Sequence, residues 1–289
     1  MRTEHEMIAL ITKIAETDER IRAAYLFGSR ADPDIMKDKF QDYDIVYIVT
    51  ETTPFISNKD WINEFGKITF VFEGLWNEFH FKTNTESIDF SRRYIWSMLL
   101  EDGNRIDLVM EVKAEALKNY YDKKYTVKLL DKDGCLPEAP PLMDDHAATK
   151  PFEERYTACC NGFWWFLSYV AKGIARDELP FAMSSYNEFI RLTLDQMIDW
   201  YIGTLTDFSV STGKRGKYYK NYLPRELYAL YAKSYPDSNY TNFWNAIYSS
   251  CDLFKIIALH VGNYFGYTYD KRIADSMLNY LKKVKDDAW

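Results

Sequence analysis

Two apolar runs on either side of a glycine turn constrain this chain more than any other feature. The run Ile21 to Phe27 stops at Gly28-Ser29-Arg30; eleven residues later, Asp42-Tyr43-Asp44 opens a second run that ends at Val49. Alternate side chains of a strand share a face, so Asp42 and Asp44 point one way and Tyr43 the other. At a rise of ~3.3 Å per residue, the two aspartate Cα atoms stand about 6–7 Å apart. Like charges that close call for a positive partner, and none is adjacent in sequence. A hard divalent ion such as Mg2+ suits them, since it is usually held by one or two carboxylates plus substrate phosphates. Gly28 lets a ligand approach the backbone closely, and Ser29 with its neighbouring amides can cradle phosphate oxygens. The pattern implies phosphoryl chemistry.

The surrounding chain reads as α/β. Met7, Ile8, Ile11 and Ile14 fall at helical spacing within Glu4 to Glu16, which predicts a first amphipathic helix. Tyr43 to Thr50 reads as a central strand buried on both faces. Asn58 to Phe65 reads as a short helix capped by Asn58, and Lys67 to Phe72 as another strand. Asp102-Gly103, between the runs Tyr94–Leu100 and Arg105–Val112, is a hairpin signal. Asp107 in the second arm lies between Ile106 and Leu108; an acid there either faces a site or is buried unsatisfied, which is costly. Ala114 to Tyr121 reads as a helix and Thr126 to Leu130 as a last strand. Residues 73 to 90, which carry Trp76, Phe79, His80 and Phe81, read as a substrate-side loop or an insertion.

Pro137, Pro140 and Pro141 mark a linker over residues 136–150. Beyond it the hydrophobic period is helical, with segments at Phe152–Ala171, Leu179–Tyr201, Pro224–Ser234, Asn239–Tyr264 and Lys271–Val284, rich in aromatic residues as a bundle core would be. The expected architecture is an α/β (α+β) domain with a mixed sheet over 1–135, followed by an all-α helical bundle over 151–289.

With Asp107 added, the chemistry sharpens. Two metal ions held by Asp42, Asp44 and Asp107 would stabilise charge on the attacking and leaving oxygens of an in-line displacement at an α-phosphate, which is nucleotidyl transfer. Asp107 is the candidate base for the acceptor hydroxyl, or a structural acid at the sheet end. In the second domain, Ser211-Thr212-Gly213-Lys214-Arg215-Gly216-Lys217-Tyr218-Tyr219 is basic and aromatic. Lys214 and Lys217 either reach triphosphate oxygens across an interdomain cleft or belong to a solvated loop; the spacing is not that of a Walker loop. Asn187, Arg191 and Asp195 at i, i+4 and i+8 form an ion-paired surface stripe or one wall of a cleft. Cys159 and Cys160 read as core thiols.

A formal net charge of −7 over 289 residues argues against nucleic acid as a partner, since phosphate backbones need clustered Lys and Arg. Four cysteines without a CxxC spacing point to a reducing cytosol rather than to disulfides or zinc. The charged opening MRTEHEM has no apolar signal core, and no apolar run approaches the ~18 residues of a membrane span.

At this point the chain resembles a known family. Gly28-Ser29-Arg30, Phe40-Gln41-Asp42-Tyr43-Asp44-Ile45, Pro54-Phe55-Ile56-Ser57-Asn58 with Trp61, and Ile106-Asp107-Leu108 are similar to motifs of the aminoglycoside 6-adenylyltransferases that inactivate streptomycin. The likeness continues through Cys159-Cys160-Asn161, Phe163-Trp164, Tyr169-Val170 with Lys172-Gly173, and Gly213-Lys214 followed by Lys217-Tyr218. It implies a polymerase-β-like nucleotidyltransferase domain with a helical partner domain, ATP and Mg2+, and transfer of AMP to a streptomycin hydroxyl. It also implies that Asp42, Asp44 and Asp107 take the metal and base positions and Gly28-Ser29-Arg30 the triphosphate turn. The chain departs from the family at Phe27, where members carry an acidic residue, and over Glu73 to Glu86, a segment that shapes the acceptor pocket. The acceptor therefore stays open between an aminoglycoside, a lincosamide, another small cation and a protein side chain. From a different class stands a nucleotide-binding regulatory module without turnover.

Overall fold

The computed structural model describes residues 1–33, 35–74, 89–121, 125–138 and 148–287. Trp76, Phe79, His80, Phe81 and His146 lie outside the described residues, as does most of the expected linker. The chain divides into two compact units, Met1–Met143 and Asp144–Trp289. Among the described residues no helix is long and apolar enough to cross a membrane.

The first unit is built on a six-stranded sheet in the order β3-β4-β5-β2-β1-β6. Its strands are β1 (Ile21–Phe27), β2 (Tyr43–Val49), β3 (Ile68–Gly74), β4 (Arg93–Leu100), β5 (Arg105–Val112) and β6 (Thr126–Asp131). β2 and β5 pair parallel and every other neighbouring pair is antiparallel, so the sheet is mixed. Strand alternation sorts its side chains into two cores. Tyr43, Ile45 and Tyr47 of β2 join Ile106, Leu108 and Met110 of β5 on one face, beneath α1 (Glu4–Thr17). Tyr47 donates its hydroxyl to the Ile11 carbonyl of that helix at 2.6 Å. Between β2 and β3, α2 (Thr53–Ser57) and a 3-10 segment, Lys59–Phe65, add Phe55, Trp61 and Phe65 to this core, Trp61 packing edge-on against Trp96. Asn58 caps the 3-10 segment through the amide of Asp60.

The opposite face holds Ala23, Tyr25, Val46, Ile48 and Val109, covered by Ala116 and Tyr120 of α3 (Lys113–Tyr120). α3 follows directly from the C-terminal end of β5. Asp44 and Asp107 lie on this same face at the other ends of the parallel strands, two residues before Val46 and Val109.

The second unit is helical: α4 (Glu153–Ala175), α5 (Leu179–Ser185), α6 (Leu192–Thr206), α7 (Tyr219–Tyr222), α8 (Arg225–Lys233), α9 (Tyr240–Phe265) and α10 (Lys271–Asp286). Phe163 of α4 stacks on Phe254 of α9 with ring centroids 3.8 Å apart. Cys159, Cys160 and Cys251 are buried free thiols. α5 and α6 are joined by a π-helical turn, Tyr186–Arg191. The wider turn shifts the face presented by the following residues, so Asn187 leaves the stripe while Arg191 and Asp195 remain an i, i+4 ion pair. Asn187 is exposed, Arg191 is buried and Asp195 is half-buried. Arg191 lies over the rings of Tyr231 and Tyr235, 4.5 and 4.0 Å from their centroids, and donates to Ser234 Oγ at 2.6 Å.

Candidate active site

The site begins where β1 ends. Phe27 is the register partner of Asp44, so the Gly28-Ser29 turn emerges directly beside that carboxylate. Gly28 has φ +74°, and a Cβ placed on it would lie 2.3 Å from Asp44 Oδ2. Glycine is required here twice, for its backbone angle and for the space Asp44 occupies. Residues 28–30 form one 3-10 turn, closed by the Ala31 amide on the Gly28 carbonyl at 3.1 Å.

Arg30 turns away from the carboxylates. Its guanidinium is buried, donates to the carbonyls of Gln41 (2.7 Å) and Asp42 (3.1 Å), and lies 3.9 Å from the centroid of the Tyr43 ring on the other face. It therefore ties the residue 31–41 connection back to the entry of β2. Gln41 adds a bond from its side-chain amide to the Ser29 carbonyl at 3.2 Å. The turn and the start of β2 are one anchored unit.

The parallel pairing of β2 with β5 places Asp44 opposite Asp107, on strands about 4.8 Å apart. Asp42 stands just before β2. Burial lifts the Asp42 carboxyl above its ordinary range; Arg105 opposes this, Asp107 adds to it and Arg30 opposes it. Arg105, two residues before Asp107 on the same face of β5, donates to Asp107 Oδ2 at 2.8 Å and Oδ1 at 3.2 Å, and its other terminal nitrogen is 3.4 Å from Asp42 Oδ2. On the far side of β5, Ser97 of β4 pairs with Asp107, and its buried hydroxyl has no hydrogen-bond partner among the described residues. Sequence reasoning picked out the three aspartates and missed Arg105. Its signal was the two-residue spacing in Arg105-Ile106-Asp107, which puts cation and acid on one face.

Among the described residues no three His, Cys, Asp or Glu side chains converge in ion-binding geometry. Mg2+ does not need three, because water and phosphate oxygens complete its shell around one or two carboxylates. The donor set of hard carboxylate oxygens, the close approach of Asp44 to Gly28 and the orphaned Ser97 hydroxyl fit such an ion.

Lys214 and Lys217 belong to the second unit, in a loop shaped by Gly213 and Gly216 at φ +72° and +70° and by Arg215 at φ +57°. Asp199 of α6 anchors this loop, accepting from Thr212 Oγ1 at 2.8 Å and from the Tyr219 hydroxyl at 2.9 Å. Both lysines are exposed, and Lys217 Nζ lies 4.8 Å from the centroid of the Tyr218 ring. One turn of α6 earlier, Asp195 is 3.6 Å from Arg191, too far for a hydrogen bond. Burial pushes its carboxyl up to about 6, against the pull of Arg191 and a Tyr231 hydrogen bond, with Asp199 adding to the rise.

Comparison with known proteins agrees along the whole chain. Residues 1–284 match the family model described as streptomycin adenylyltransferase. The chain is 32% identical to an aminoglycoside 6-adenylyltransferase of Campylobacter jejuni over 99% of both chains. It is also 32% identical to one of Staphylococcus aureus over 96% of this chain and 99% of that one. A crystal structure of an aminoglycoside 6-adenyltransferase from Bacillus subtilis covers 99% of each chain at 28% identity, with a TM-score of 0.47. The protein is thus a nucleotidyltransferase. Within that class, it belongs to the streptomycin adenylyltransferase family.

Proposed function

We propose that the protein transfers AMP from ATP to a hydroxyl of a streptomycin-like aminoglycoside in a Mg2+-dependent reaction. The observation that carries the reading is the register of Asp44 with Asp107 beside the Gly28 turn, in a chain whose full-length relatives are named aminoglycoside 6-adenylyltransferases. Asp42 and Asp44 are the ligands of the divalent ion, with Asp107 completing the set. The ion supplies charge neutralisation on the attacking and leaving oxygens of in-line displacement at the α-phosphorus. Asp107 takes the proton of the acceptor hydroxyl as that oxygen attacks. The amides of Gly28 and Ser29 face the triphosphate, and Arg30 holds the turn in place. The bond from the α-phosphorus to the acceptor oxygen forms as the bond to pyrophosphate breaks.

The test is a panel of acceptors incubated with ATP and Mg2+, read by pyrophosphate release and by the mass of the product. Streptomycin gaining one AMP is the expected result. Pyrophosphate release with no aminoglycoside in the panel, or with a lincosamide alone, overturns the assignment of the acceptor.

A further inference from the structure

The three carboxylates of the site carry a formal charge of −3, and the structure already supplies one cation to them. Arg105 spans Asp42 and Asp107, holding Asp107 with one terminal nitrogen and reaching Asp42 with the other. Its exposure separates it from Arg30, and its two site carboxylates separate it from Arg93. The Arg30 side chain is 5% exposed and bound to main-chain carbonyls, a fixed structural tie. Arg93 is 38% exposed, but it pairs with one carboxylate, Glu111, that is 2% exposed and lies outside the site. The Arg105 side chain is 40% exposed, and its partners Asp42 and Asp107 are 33% and 17% exposed. Ion pairs that open to solvent are weak and exchange readily. The guanidinium also sits on the oxygens that the reading above assigns to a metal ion. A guanidinium and a divalent ion on the same carboxylates draw on the same negative charge and repel each other, so each weakens the other's hold.

Resting on that reading, we propose that Arg105 is the exchangeable counter-cation of the site. In the metal-free protein it neutralises Asp42 and Asp107, and the incoming metal must displace it. Arg105 is then a positioning residue: it keeps the acids from repelling one another, and it sets how much metal is needed to fill the site.

The test is a titration of the full-length, chelator-stripped protein with Mn2+ in the absence of nucleotide, reading free Mn2+ by electron paramagnetic resonance. Wild type is compared with Arg105→Gln, Arg105→Ala and Arg105→Lys. Removing the competing charge should lower the Mn2+ concentration at half-saturation by about fivefold in the Gln and Ala variants, the size expected for losing a partly exposed ion pair. Arg105→Lys, which keeps a cation, should stay near wild type. Equal or weaker Mn2+ binding in Arg105→Gln overturns the inference and makes Arg105 a structural or phosphate-binding residue. Should Arg105→Ala fail to fold, the Gln and Lys variants carry the comparison. The two readings fail separately: adenylyl transfer by wild type with unchanged Mn2+ binding in Arg105→Gln sinks only the competition. Tightened Mn2+ binding in a protein that modifies no acceptor supports the competition and sinks only the proposed reaction.

Discussion

Asp44 and Asp107 stand opposite each other on the parallel strands β2 and β5, while Phe27, the last residue of β1, pairs with Asp44 from the other side. Three strand ends therefore meet at one carboxylate. The glycine turn, the acid pair and the third acid become neighbours through backbone hydrogen bonds alone, before any side chain is considered.

Asp44→Asn keeps the shape of the side chain and removes its charge. Transfer should fall by roughly a thousandfold or more, because a neutral amide gives up several kcal/mol of charge stabilisation. The melting temperature should stay close to wild type, since relieving repulsion with Asp107 offsets the lost contacts. Steady-state kinetics beside a thermal melt measures both; retained activity refutes the role of Asp44.

Gly28→Ala should damage activity more than stability. Its Cβ would press on Asp44 Oδ2, the movable end of a side chain, so the carboxylate shifts rather than the backbone. The left-handed angle costs about 1–2 kcal/mol for a residue with a Cβ. Urea unfolding should show that modest loss, while kcat drops by on the order of a hundredfold as a misplaced charge-stabilising group.

Arg30→Ala should be mainly a stability variant. Truncation leaves the half-buried Gln41 and Asp42 carbonyls without their donor, at a cost of roughly 1–2 kcal/mol. Arg30→Lys should recover little, because one ammonium cannot reproduce the planar fork. An Arg30→Ala melting temperature equal to wild type would show the tie to be unimportant.

Asp195 ties the second unit to pH. Its carboxyl is raised in the folded protein to about 6 from an ordinary 3.8, so folding favours the protonated form. The stability this contributes is complete below the unfolded value and is lost as pH rises through 6, a difference on the order of 1–3 kcal/mol. Asp195→Asn cannot titrate. The melting temperature of Asp195→Asn minus that of wild type should therefore move upward between pH 4 and pH 7, and a flat difference contradicts the burial argument.

Much of the fold was legible in local pattern. Alternation placed the strands flanking Asp102-Gly103 within a residue of their observed bounds, because a hairpin is made of neighbours in sequence. Asp107 stood out as an acid between Ile106 and Leu108. Arg30 belongs to the glycine turn in sequence, and its guanidinium goes to two carbonyls, the Tyr43 ring and Glu4. Nothing local says which way a long side chain leaves a turn. The π turn at Tyr186–Arg191 was also hidden. Its apolar residues keep a helical spacing, and only packing against Ser234 and the tyrosines of α8 and its C-terminal end shows that Arg191 points inward.

The sequence by itself determined the groups available here: a glycine turn, carboxylates at strand ends and a helical second half, all set by residue type and short-range period. Only the tertiary structure decided which charges meet. The parallel pairing of β2 with β5 brings together acids from distant parts of the chain, and the same register delivers Arg105 between Asp42 and Asp107. Charge interactions depend on distances of a few ångströms across the sheet, and sequence spacing carries that information within one strand but not between strands.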